Sequence, residues 1–270
     1  MEISNLFIYP VKSLGGILQQ HSTIDDYGLQ YDRNWMIINP VTNKFRSQRD
    51  TPRMCLIQPL LDNNDSLVLT ARGIEDCALP NYILGEECRV QVWDDFCCGI
   101  DQGDIPAEWL SDFLHERCRL VRIPKNHRRS TRKGNAMLGY ADAYSLLVMS
   151  EASLSNLNDQ LVEPVPIDRF RPNIVIKGCL SHEEDQWEKI QIGNVECAGL
   201  KLCARCSIVS TDQRNAERLK EPNATLATYR RGKHLGIVDK KHTNEIYFGK
   251  YYNHCSRGSI SVGDEVVVIN

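Results

Sequence analysis

Two cysteines three residues apart, Cys203 and Cys206, close an apolar stretch and flank Ala204-Arg205. A thiol pair beside an arginine suits a soft metal or redox chemistry. The spacing alone leaves three readings open: half of a zinc site, a thioredoxin-like redox pair, or two buried thiols packing as small hydrophobes. His254 and Cys255 could complete a four-ligand zinc set by residue type, but they are adjacent and hard to aim at one metal. Three other segments carry basic side chains where a strand meets a loop: Tyr9-Pro10-Val11-Lys12-Ser13-Leu14-Gly15-Gly16, Tyr31-Asp32-Arg33-Asn34-Trp35, and Phe170-Arg171-Pro172-Asn173-Ile174.

The elements that must position these residues read mainly as short strands. Leu6 to Tyr9, Trp35 to Asn39, Met54 to Ile57, Ser66 to Thr70, Arg89 to Trp93, Asn173 to Lys177, Lys189 to Ile192, Ile246 to Tyr251 and Glu265 to Ile269 are bounded by Gly, Asn, Asp and Pro. Ser259 to Val268 reads as two strands around a Gly-Asp turn. Two helices are expected. One follows Asp104, with Pro106 in its first turn and Trp109, Leu110, Phe113 and Leu114 on one face; the other is capped by Ser150 and carries Leu154, Leu157 and Leu161. These stripes read as core.

The chain has 270 residues, 42% of them hydrophobic, enough for one large or two small domains with a buried core. A net charge of -3 argues against a general nucleic-acid or membrane-surface binder. No apolar run approaches the roughly 20 residues of a membrane span, and the first residues lack the pattern of a secretory signal, which places the protein in the cytoplasm. The 11 cysteines are an odd number without the spacing of a disulfide framework or a ferredoxin, so reduced thiols are expected and electrons must come from elsewhere. The basic segment Lys125 to Gly134 is expected to stay solvated, marking a boundary between residues 1–124 and 125–270 and offering Arg128, Arg129 and Arg132 to an acidic partner.

Taken in order, Tyr9-Pro10-Val11-Lys12-Ser13, Arg33 before its strand, Ser150-Glu151-Ala152-Ser153-Leu154, Arg171-Pro172-Asn173-Ile174-Val175, Cys203-Ala204-Arg205-Cys206 and Gly263-Asp264 resemble the molybdenum-cofactor sulfurase C-terminal (MOSC) domain proteins, in particular the group containing the amidoxime-reducing components. The resemblance covers nearly the whole chain. It implies a mainly β (α+β) fold, an N-terminal MOSC-type β-barrel domain followed by a MOSC β-barrel domain with a few helices. It also implies a molybdenum cofactor (molybdopterin) between them, reduction of N-hydroxylated small molecules, and, as a family association, pyridoxal phosphate binding.

Carried over residue by residue, the resemblance makes Cys206 the metal ligand and leaves Cys203 without a role. A phosphate and a polar pterin need cations and planar donors, which Lys12, Ser13, Arg33, Arg171, Asn173 and Arg205 supply. Asp142 matches an acidic position near the metal, where a carboxylate could orient a substrate or move a proton, although an aspartate in a turn is equally natural there. The chain stops where some bacterial relatives add a ferredoxin-like domain, so the donor is expected to be a separate reductase, flavoprotein, iron-sulfur or haem protein. The alternative function is a cofactor carrier or sulfur-transfer module with no substrate turnover.

Overall fold

The computed structural model describes residues 1–80, 85–131, 133 and 136–269. Its backbone is an eight-stranded sheet in the order Val266–Val268, Lys189–Ile192, Val195–Ala204, Tyr247–His254, Leu146–Ser150, Ile174–Lys177, Glu2–Ile8 and Ile17–Gln19. Only one neighbouring pair in this sheet is parallel, Leu146–Ser150 beside Ile174–Lys177. Parallel neighbours need a long crossover. Here it is the helix Glu151–Asn158 followed by the 3-10 turn Ile167–Phe170, which delivers Arg171 and Asn173 to one end of the sheet.

The first strand belongs to this sheet because its apolar side chains fit only one register. Glu2–Ile8 runs antiparallel to Ile174–Lys177 with a bulge between Ile3 and Asn5. That irregularity puts Ile3, Leu6 and Ile8 together in one core with Val148, Ile174, Ile190 and Tyr252. The pairing spans the expected divide at residue 124. Gly258–Ser261 likewise pairs with His21–Asp25. The rest of the first half forms a four-stranded sheet, Trp35–Ile38, Arg119–Arg122, Asp95–Asp101 and Glu87–Val92, and a small three-stranded one. No helix among the described residues is long and apolar enough to cross a membrane.

Both expected helices form. Asp104–Leu114 buries Pro106, Leu110, Phe113 and Leu114, and Ser150 Oγ accepts the N–H of Ser153 at 3.1 Å as the cap of Glu151–Asn158. Leu161 lies beyond that helix. Met54 to Ile57 is not a strand. Pro52 at the first turn fixes the backbone for a 3-10 helix over Pro52–Leu56, where its missing N–H costs nothing. The two strands around Gly263-Asp264 form but do not pair with each other, since Gly258–Ser261 and Val266–Val268 join different sheets.

The basic segment departs furthest from expectation. His127, Arg129 and Thr131 are buried. Thr131 N–H donates to the Ala136 carbonyl and Ser130 bridges to Met137, so the segment folds back on itself. Arg129 turns inward because four acceptors await it: the carbonyls of Gly139, Ala141 and Asp142 and the carboxylate of Asp95. Only Arg128 of the three arginines is both described and exposed; Arg132 and Gly134 lie outside the described residues.

Candidate functional site

All eight residues singled out from the sequence, Lys12, Ser13, Arg33, Asp142, Arg171, Asn173, Arg205 and Cys206, line one cleft of about 120 Å³. The cleft lies where the crossover, the Cys203–Cys206 segment, residues 141–144 and three loops of the first half, carrying Lys12 and Ser13, Arg33, and Arg49, converge. Three of its lining residues, Ser13, Arg33 and Arg171, hold left-handed backbone at φ of 68°, 52° and 57°. Such φ values cost a non-glycine residue roughly 1 kcal/mol or more and persist only where surrounding contacts enforce them. Gly15 and Gly16 serve packing here. A Cβ on Gly15 would sit 2.3 Å from Gln58 Oε1, and one on Gly16 2.5 Å from the Tyr9 ring.

The cysteines part company at the end of the strand Val195–Ala204. Cys203 is buried, and Arg205 donates one Nη to its sulfur at 2.9 Å and the other to the Phe170 carbonyl at 2.6 Å. Arg205 N–H continues the ladder to the Ile246 carbonyl, after which Cys206 opens the 3-10 turn Ser207–Ser210. Asn223 Nδ2 donates to the Cys206 carbonyl and fixes that corner. Cys206 stays half-buried at the cleft. His254 and Cys255 border a separate hollow with Asp26 and Arg257, and among the described residues no His, Cys, Asp and Glu side chains group as metal ligands. Cys203 and Cys206 therefore do not converge with His254 and Cys255 on one point, as the zinc reading requires.

Two guanidinium groups flank one tyrosine. The guanidinium carbons of Arg33 and Arg171 lie 4.4 Å and 4.2 Å from the Tyr9 ring centroid. Arg33 is compensated by Asp32, which it contacts at 2.5 and 2.7 Å. Asn173 Oδ1 accepts from Arg33 at 3.2 Å and from Leu147 N–H at 3.1 Å, while its Nδ2 donates to the Phe7 carbonyl. Its amide oxygen is thus already committed to the frame. Arg171 donates to the Leu14 carbonyl at 2.5 Å, and its second Nη is buried without an acceptor. Burial, then the nearby charge of Arg33, pulls Arg171 down to about 10. Arg205 Nε is also buried and unpaired.

Lys12 and Asp142 form the other pole. Lys12 Nζ donates to the Tyr140 carbonyl at 2.9 Å and to Asp142 Oδ1. Burial lowers Lys12 to about 8, with Asp142 opposing. For Asp142, burial alone would raise the pKa; the charges of Lys12 and then Arg49 outweigh it and hold the carboxyl well below the usual range. Arg49 reaches Asp142 Oδ2 at 3.5 Å, and Trp93 Nε1 donates to Oδ1 at 3.0 Å. Arg49 and Trp93 carried no sequence signal. Each lies in a loop whose approach to the cleft is purely tertiary, although Trp93 in a turn before Asp94-Asp95 is an odd place for a large aromatic.

This donor set fits a soft metal carried on an anionic group. Among the described lining residues, Lys12, Arg33, Arg49, Arg171 and Arg205 face a single carboxylate, Asp142. A buried unpaired guanidinium N–H costs about 1–3 kcal/mol, which a phosphate would offset with paired hydrogen bonds.

Comparison with known proteins agrees with this architecture. Residues 1–117 match the MOSC N-terminal beta barrel domain and residues 135–267 the MOSC domain. The Mus musculus mitochondrial amidoxime-reducing component 1 is 35% identical, covering 99% of this chain and 82% of that protein. Bos taurus mitochondrial amidoxime reducing component 2 is 33% identical over 98% of this chain and 82% of its own length. Homo sapiens molybdenum cofactor sulfurase is 28% identical over 99% of this chain but only 32% of its own length. The chain belongs to the MOSC family, its first half an N-terminal MOSC β-barrel domain and its second a MOSC domain.

Proposed function

We propose that the protein is a molybdenum-cofactor-dependent reductase of N-hydroxylated compounds such as amidoximes and hydroxylamines, supplied with electrons by a separate donor protein. The observation that carries this reading is the half-buried Cys206 thiol facing a cleft with surplus cationic charge, where Arg171 and Arg205 keep buried donors without acceptors. A soft ligand beside an anion cradle answers to a metal carried on a phosphorylated organic group. The names of the two amidoxime-reducing relatives point to the same substrate class.

The net change is one N–OH bond and two electrons and two protons converted into one N–H bond and water. When bound, the cofactor supplies the two-electron exchange at its metal. The chain does the rest. Cys206 ligates; Lys12, Ser13, Arg33, Arg171 and Arg205 hold the anionic and polar parts; Asn173 acts by fixing Arg33. Asp142, held ionised, orients the substrate N–H and is a poor proton donor near neutral pH. Lys12, at about 8, remains mostly protonated at pH 7 and is the member of the pair that can give a proton. Pyridoxal phosphate is not proposed: Lys12, the one lysine among the described lining residues, is assigned to the molybdenum cofactor and to its pair with Asp142.

The test is expression in a host that makes the cofactor, followed by molybdenum and pterin analysis and benzamidoxime turnover with reduced methyl viologen. Stoichiometric molybdenum with turnover supports the reading. Loaded protein that reduces nothing would favour the cofactor carrier or sulfur-transfer reading, which rests on the likeness to the human cofactor sulfurase.

A further inference from the structure

Trp93 is a large aromatic held in a place where the chain gives it little reason to be. It sits at the turn between Glu87–Val92 and Asp95–Asp101 with φ of 55°, a left-handed value unusual for a bulky residue. It is 39% exposed. Free indoles at turns reorient easily, yet this one is fixed by three neighbours. Its Nε1 donates to Asp142 Oδ1 at 3.0 Å, the Arg49 guanidinium carbon lies 4.7 Å from its ring centroid, and the Phe45 ring meets it edge-on at 4.9 Å and 63°. Two of those three, Asp142 and Arg49, line the cleft.

We propose that Trp93, positioned by Arg49 and Phe45, is the substrate-selecting rim of the site, presenting an aromatic surface beside the Asp142 carboxylate to planar, π-conjugated N-hydroxylated amidines. This deepens the reductase reading and rests on it. The arrangement supplies the two features such a substrate offers: a flat conjugated body, which stacks on an indole, and an N–H, which an ionised carboxylate accepts. Arg49 serves by immobilising the ring through a cation–π contact and holding Asp142 Oδ2 at 3.5 Å. A substrate with the N–O bond but no conjugated body, such as hydroxylamine, gains nothing from the rim. The indole therefore separates substrates by their bodies and leaves the reacting group to the interior.

The experiment compares cofactor-loaded wild type, Trp93→Ala and Trp93→Phe with benzamidoxime and with hydroxylamine, using reduced methyl viologen so that docking of a protein donor does not enter. Trp93→Ala is expected to raise KM for benzamidoxime about three- to tenfold while KM for hydroxylamine changes less than twofold. Trp93→Phe keeps a ring but no N–H donor, and should hold KM for benzamidoxime close to wild type. A parallel rise for both substrates in both variants, or no change for either, would overturn the proposal. Should the wild type reduce neither substrate, the reductase reading fails and calorimetric titration of loaded protein with benzamidoxime judges the rim by itself: binding weakened by Trp93→Ala but not by Trp93→Phe supports it, and equal binding or none overturns it.

Discussion

Lys12 and Asp142, 130 positions apart in the chain, meet as an ion pair lining the cleft, Lys12 Nζ donating to Asp142 Oδ1. Each sets the other's titration. Burial pulls Lys12 to about 8, and the Asp142 charge is what keeps it from falling further.

Asp142→Asn is therefore expected to lower the Lys12 midpoint in the cofactor-free protein, from about 8 in the wild type, as followed by NMR of the lysine side chain. Between the folded value near 8 and the ordinary 10.5 the unfolded chain holds more protons, so stability climbs with pH across that window. In Asp142→Asn the climb begins at lower pH, measurable by urea denaturation. A Lys12 midpoint unmoved by the substitution would contradict the coupling.

Arg129 is expected to matter for stability and not for docking. Its guanidinium satisfies the carbonyls of Gly139, Ala141 and Asp142 and pairs with Asp95. Arg129→Ala leaves those buried carbonyls without donors and should cost about 3 kcal/mol in urea unfolding. Arg128→Ala, at an exposed position, should stay within about 0.5 kcal/mol.

Arg171→Met separates holding the fold from holding the cofactor. The buried guanidinium has one Nη without an acceptor and is drawn down to about 10 by burial. An apolar side chain of similar length removes that desolvation cost but leaves the Leu14 carbonyl without its donor, so the two effects oppose and the urea midpoint of cofactor-free protein should change little. The pterin content of protein purified from a cofactor-competent host should nevertheless fall. A lower midpoint with full pterin would mean that Arg171 is a structural residue only.

Both expected helices and many of the strands were legible because apolar runs bounded by turn residues report local burial directly, whereas Leu146–Ser150 and Val195–Ala204, in the middle of the large sheet, were not read as strands. Ile174–Lys177 and Asp104–Leu114 are of the legible kind, while Glu2–Ile8 was read only from Leu6 onward because its bulge breaks the alternation. The assignment failed where one residue overrode the pattern, as Pro52 did for the 3-10 turn, and where charge concealed burial, as with Arg129. The eight residues that share the cleft were legible because ordered motifs link distant segments. Arg49 and Trp93 were not. Their contacts with Asp142 span 93 and 49 positions between loops with no periodicity, so only the tertiary fold brings them there. Asn173 was legible as a member of the site but not as the group that holds Arg33, since spacing gives no hydrogen-bond partner.

In the proposed site Cys206 takes the metal, while the Cys203 sulfur accepts from Arg205. Molybdenum content and benzamidoxime turnover of purified Cys206→Ser and Cys203→Ser test it most directly. Serine keeps nearly the same volume, so both variants should fold. Cys206→Ser is expected to lose turnover and its bound metal or the metal's absorption spectrum, while Cys203→Ser keeps molybdenum and at least part of its activity. An active Cys206→Ser beside an inactive Cys203→Ser would reverse the assignment, and full activity in both would remove cysteine ligation altogether.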